Sequence, residues 1–141
     1  MNKLKFVSIL YLFVQSTFTY AQNLTNAPDN LNNLLLELAG QISTNLPAEI
    51  SKNKEMISVI ANNNTIIFNY KYTVPVRITY ESLLPKRKEM MVNWLSTICN
   101  GTTTKTLIEK GAIIKHLTTT YNGELLTDFE ADKSICLNTG I

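Results

Sequence analysis

Residues that can carry chemistry are scarce in this sequence. Its 141 residues include one histidine, two cysteines and one tryptophan. A Cys-x-x-Cys pair, histidines at metal-ligand spacing and a glycine-rich phosphate loop are all missing, which removes the familiar redox, zinc and nucleotide signatures. With His116 as the sole histidine, any acid–base or nucleophilic mechanism must lean on that ring or on a pair of carboxylates. Excess charge is small as well. The formal net charge is +2, and Lys3 and Lys5 at the start account for it. Residues 22–141 are formally neutral, so nothing here predicts the many phosphate contacts on which nucleic-acid binding rests. Long apolar runs are absent too, apart from Phe6 to Val14. That run is shorter than the roughly 20 residues a spanning helix needs.

The short run is informative in its own right. It follows a basic start, Met1 to Lys5, and leads through a polar tract to Thr19-Tyr20-Ala21, the pattern of a secretory signal peptide. Residues 1–21 are read as a signal peptide cleaved after Ala21, with an uncleaved anchor as the alternative. No cysteine follows the run, which argues against a lipid anchor. The expected location is periplasmic or secreted, without a stable membrane anchor. Residues 22–141 are enough for a single domain and too few for two comfortable ones.

Pattern along the chain predicts an α+β domain. Leu31, Leu34, Leu35, Leu38 and Ile42 recur at helical spacing after Pro28 and Asp29, and Leu46-Pro47 ends that helix. A linker is expected to about Glu55. Ile66, Phe68, Tyr70, Tyr72 and Val74 then alternate with polar or outward residues as a strand, paired with Ile57, Val59 and Ala61 through an Asn62-Asn63-Asn64 turn. Arg77 to Tyr80 is a candidate for a further extended piece. Ser82 is the expected cap of a helix with Pro85 in its first turn and Met91, Trp94, Leu95, Ile98 and Cys99 on one stripe. Asn100-Gly101 stops it, and Thr102 to Lys110 reads as a second short helix with a threonine cap, ended by Gly111. A two-residue turn at Asn122-Gly123 sets the last hairpin, with His116 facing Phe129, Ile114 facing Ala131, Thr120 facing Leu125 and Lys115 facing Glu130. The core face of that hairpin is expected to carry Ile114, His116, Leu125, Phe129 and Ala131. The whole is an N-terminal helix, a hairpin, a helix pair and a hairpin, with four antiparallel strands on the Trp94 helix.

Two cysteines in an exported chain, one on a buried helix stripe and one at a strand end, read better as a Cys99–Cys136 disulfide than as a metal site, since two thiolates do not close a zinc site. A redox role would favour a close pair. The entropy model values a loop of this length at about 4 kcal/mol, which would pin the hairpin. Leu46-Pro47, Asn64-Thr65, Phe68, Tyr70, Cys99, Leu107, Gly111, Ile114, Gly123 and Cys136 together resemble a group of short exported bacterial proteins of unknown function. The likeness runs over residues 46 to 136 and departs at His116, where the group implies an aromatic residue. It brings no catalytic residues with it.

The remaining candidates each have a plain structural reading. His116 opposite Phe129 is expected to be a core or boundary residue, and Lys115 with Glu130 a surface pair. Glu124, Asp128, Glu130 and Asp132 form a line of carboxylates, too widely spaced on a strand to converge on calcium. Asn23, Asn63 and Asn100 match the glycosylation pattern, as expected by chance in a chain rich in Asn and Thr. Lys86, Arg87 and Lys88 gather positive charge at a helix start, where anions are preferred, and this makes them the candidate partner-binding residues. No metal or cofactor is expected. The reading is a non-enzymatic protein that binds another protein of unknown identity. Its alternatives are an immunity or inhibitor protein against a toxin or envelope hydrolase, and a small hydrolase using His116 or the hairpin carboxylates.

Overall fold

Leucine spacing at the start of the described chain does what periodicity predicts. The computed structural model describes residues 31–140, so the signal segment, the cleavage position at Ala21 and the Pro28-Asp29 helix entry lie outside the described residues. Helix α1, Leu31–Ser43, buries Leu35 and Ala39. Strands β1 (Ala48–Ser51), β2 (Lys54–Asn62) and β3 (Thr65–Tyr72) follow it. Helices α2 (Tyr80–Asn100) and α3 (Thr102–Glu109) come next, then β4 (Ile113–Thr119), β5 (Leu125–Ala131) and the short α4 (Lys133–Asn138). The fold is α+β with one disulfide.

Its sheet differs from the expected four antiparallel strands. Among the described residues, five strands lie in the order β1-β2-β3-β4-β5, and the pair β3–β4 is parallel. Each hairpin is antiparallel, as a short turn requires. The two hairpins are joined through α2 and α3, however, and a helical crossover is the connection that lets strands run parallel. β1 occupies part of the expected linker. Four residues are too few to show alternation, and this strand is defined by its partner, Ala48 lying opposite Met56.

Two bulges explain the other departures. In β2 the register shifts between Met56 and Ser58, so Met56 and Val59 point inward while Ile57 is 41% exposed. In the last hairpin, Ile114–Ala131, Lys115–Glu130 and His116–Phe129 pair as the turn predicts, but Thr119, not Thr120, faces Leu125. The loop takes Tyr121, Asn122 and Gly123 instead of two residues, with Gly123 at φ +90° and Thr120 N–H donating to Glu124 O. An extra residue in β5 then restores the register. Leu126 is consequently buried and Leu125 exposed, the reverse of the expected facing.

Helix α2 starts earlier than expected. Thr79 is the cap: its Oγ1 accepts from Ser82 N–H while Ser82 Oγ accepts from Thr79 N–H, a reciprocal capping box. Ser82 is therefore the third helical residue, Pro85 lies beyond the first turn, and Arg77 to Tyr80 forms no strand. Gly101 separates α2 from α3 and caps α3 without a side-chain bond, so no threonine has that role. A Cβ at Gly101 would sit 2.6 Å from Thr104 Oγ1, so the tight junction needs glycine. Leu35, Val59, Ile66, Leu95, Cys99, Leu107 and Ile114 belong to one buried cluster, which places α1, α2 and α3 on the same face of the sheet.

Candidate functional site

Across the helix-covered face of the sheet runs a row of rings ended by two cations. Tyr70 on β3 stacks on His116 of β4 with centroids 4.4 Å apart, and His116 stacks on Phe129 of β5 at 5.8 Å. Trp94 of α2 approaches the edge of His116 at 5.9 Å and lies 5.8 Å from Phe129. The Lys54 ammonium, at the start of β2, sits 5.1 Å from the Tyr70 centroid. At the other end, the Arg87 guanidinium of α2 is 5.7 Å from Phe129 and 5.0 Å from Tyr80. Period-two alternation puts the rings on one face, and the helical stripe of α2 brings Trp94 and Arg87 over them.

Burial sets the electrostatics of this row. Desolvation, helped by the Lys54 charge, lowers the His116 pKa to about 4, so the ring is neutral at pH 7. Burial raises the Tyr70 phenol to about 12 and lowers the Lys54 ammonium from its ordinary value. His116 Nε2 lies 2.9 Å from Thr118 Oγ1, a buried hydroxyl. Around the rest of the ring lie Tyr70, Trp94 and Phe129, with the Lys54 charge beyond Tyr70. A general base is most useful with a pKa near the working pH and a third group to orient it, and this ring has aromatic packing in that place.

Other sequence candidates separate in the structure. Arg87 is not a free cation: its Nη2 donates to Asp128 Oδ1 at 2.5 Å and to the Asp128 carbonyl at 3.2 Å. Lys86 and Lys88 remain exposed. The hairpin carboxylates are divided as well. Asp128 takes Arg87, Glu130 takes Lys115 at 2.7 Å, and Asp132 Oδ1 accepts from Ile135 N–H as the cap of α4. Only Glu124, in the turn, lacks such a role among the four. Cys99 and Cys136 form the disulfide, Cα atoms 5.6 Å apart. Cys136 lies in α4, one turn past the strand end where the sequence placed it, so the bond ties α2 to the helix after the hairpin.

Sequence reasoning missed Lys54 and Tyr80. Lys54 fell in the expected linker because the bulge at Ile57 hides its place in the alternation. Tyr80 is the first residue of α2, and the signal was present: Tyr80, Leu84, Arg87, Met91, Trp94 and Ile98 share one helical stripe. The part buried at Leu95 and Cys99 continues toward the helix start, where Tyr80 is 37%, Leu84 51% and Met91 37% exposed.

No protein-family model and no curated protein sequence matches the chain. Solved structures do. A protein of Pseudomonas aeruginosa taken to be secreted aligns with a TM-score of 0.66 at 18% identity, over 75% of this chain and 92% of its own. The pilotin of the Vibrio vulnificus type 2 secretion system aligns at 0.60 and 18%, over 75% and 91%. A type II secretion system pilotin from Vibrio cholerae aligns at 0.54 and 18%, over 74% and 91%. At this identity the likeness is one of fold: the chain has the architecture of these small bacterial proteins.

Proposed function

We propose that this protein is exported and acts without catalysis, by binding another protein through the first half of α2. The observation that carries the reading is the half-exposed stripe of Tyr80, Leu84 and Met91, with exposed Lys88 one turn from Leu84 on the same side of the helix and exposed Lys86 on the other side. Large apolar side chains that line up on one face and remain partly exposed mark interaction surfaces more often than chance exposure does. A lysine beside such a stripe favours a partner segment with apolar side chains flanked by a carboxylate, chiefly by steering its approach. The fold likeness to two pilotins, and the aromatic packing around His116, support binding over hydrolysis.

The test is capture from the cell envelope of the source organism. Residues 22–141 should retain a specific partner, and Leu84→Asp or Lys88→Glu should weaken its capture more than Lys86→Glu does, while leaving the circular dichroism unchanged. The charge reversal should matter less as salt rises. Arg87 is excluded from the reversal because it holds Asp128. A partner retained equally by all variants would remove this surface from consideration, and failure of the wild type to capture any protein would overturn the reading itself.

A further inference from the structure

Lys54 stands apart from the other cations of this face. Its ammonium lies half-buried over Tyr70, and no ion pair connects it to another described residue, whereas Arg87 at the opposite end of the row has Asp128. Cross-strand register explains the lack of an acid. Lys54 lies opposite Ser51 on β1 and Tyr72 on β3, while Glu49 and Glu55 pair with each other at the next position, whose side chains point to the other face of the sheet. Glu130 and Lys115 are on that other face too, as the alternation along β4 and β5 requires, and Asp128, on the edge strand, is taken by Arg87. A partly desolvated ammonium without a carboxylate is costly, and an incoming anion would offset that cost.

The surroundings narrow the class of anion. Tyr70, His116 and Trp94 are each only partly buried, so the row presents aromatic surface as well as charge. His116 is neutral at pH 7 and adds no competing positive charge. A bare phosphate would meet one lysine and mostly ring faces, a poor match for a doubly charged group. A carboxylate carried next to an apolar or aromatic side chain matches both parts.

We propose that Lys54 is the anchor for a carboxylate of the partner, with the neighbouring apolar side chain of that partner laid against Tyr70 and Trp94. This rests on the protein-binding reading and gives it a chemical identity: the bound segment carries a carboxylate beside a large apolar residue. Two sources share that chemistry, a chain terminus and an acidic side chain.

Three small probes separate them. N-acetyl-leucyl-phenylalanine has a terminal carboxylate, its amide has none, and N-acetyl-glutamyl-phenylalanine amide has only a side-chain carboxylate. Each is titrated to about 10 mM, a range that reaches contacts of a few kcal/mol, with emission from Trp94, the sole tryptophan, as the readout. Binding of the free acid alone assigns a terminus, and binding of the glutamyl amide assigns an acidic side chain; either supports the site. Lys54→Met should lower the affinity about tenfold or more, the usual effect of losing one charge-assisted hydrogen bond, and Lys54→Arg should keep it. The idea is overturned if the neutral amide binds as well as the tighter of the two carboxylate probes, if no carboxylate probe binds, or if Lys54→Met binds that probe like the wild type. The comparison of the carboxylate probes with the neutral amide uses only wild-type protein, so it decides the matter even if a variant misfolds. Envelope capture keeps the two levels distinct: a partner held equally by Lys54→Met sinks the anchor and leaves the protein-binding reading standing.

Discussion

His116 shows how packing alone can make a residue sensitive to acid. The folded ring has its pKa near 4 against about 6.5 when unfolded, so between these values the unfolded chain binds the extra proton. The contribution is therefore complete above about pH 6.5 and is lost as pH falls toward 4, by at most about 3 kcal/mol. Urea unfolding at pH 7, 5 and 4 should show this loss in the wild type and a shallower one in His116→Phe. Identical slopes would mean that the ring is solvated. The phenylalanine variant should remain folded, since it keeps the aromatic stack and loses only the Thr118 contact, worth about 1 kcal/mol. Lys54 belongs to the same account with opposite consequence: removing a partly desolvated ammonium is expected to leave the melting temperature of Lys54→Met equal to or above that of the wild type.

Among the elements, the disulfide is the one whose strength can be measured most simply. Cys99→Ser and Cys136→Ser should each destabilise by about 2–5 kcal/mol, and the double variant by little more than either single one. Additive losses would show that the bond contributes little and that each side chain acts alone. Much of this level was legible in the sequence. The α1 stripe, the Thr65–Tyr72 alternation, the α2 stripe and the deep register of the last hairpin all follow from apolar spacing, because burial of one face acts on every residue of a regular element. What was not legible is local or relational. A bulge moves one residue, as at Ile57 and Leu126, without leaving a periodic trace. β1 exists only through its partner. The parallel β3–β4 pairing depends on which hairpin strands meet across the crossover, and the aromatic row depends in turn on that meeting. Cys99 and Cys136 could be paired from the sequence; Lys54 could not be set beside His116 without the sheet order.

At the scale of the molecule, the sheet has two edges and treats them differently. β1 is only four residues long, which gives a visiting strand little to pair with. β5 is longer, and there Arg87 reaches from α2 to occupy a main-chain carbonyl, that of Asp128. Arg87→Ala should therefore have two effects: a loss of about 1–2 kcal/mol from the missing charge-assisted bonds, and a tendency to self-associate that grows with concentration. Sedimentation of the variant at several concentrations tests the second, and a strictly monomeric variant would show that the edge needs no guard. The central parallel pair has a different consequence, for the order in which the chain must assemble. β2 and β3 are complete once Tyr72 has been made, but the partner of β3 on its other side begins only at Ile113. Until then the middle of the future sheet is an open edge. Distant pairings of this kind form slowly, because the intervening loop must be closed before any contact rewards it. A chain emerging from its N-terminus thus passes through a stage in which its central strand is an unpaired, adhesive edge, and the time needed to close the α2–α3 crossover and pair β4 with β3 decides how long the stage lasts.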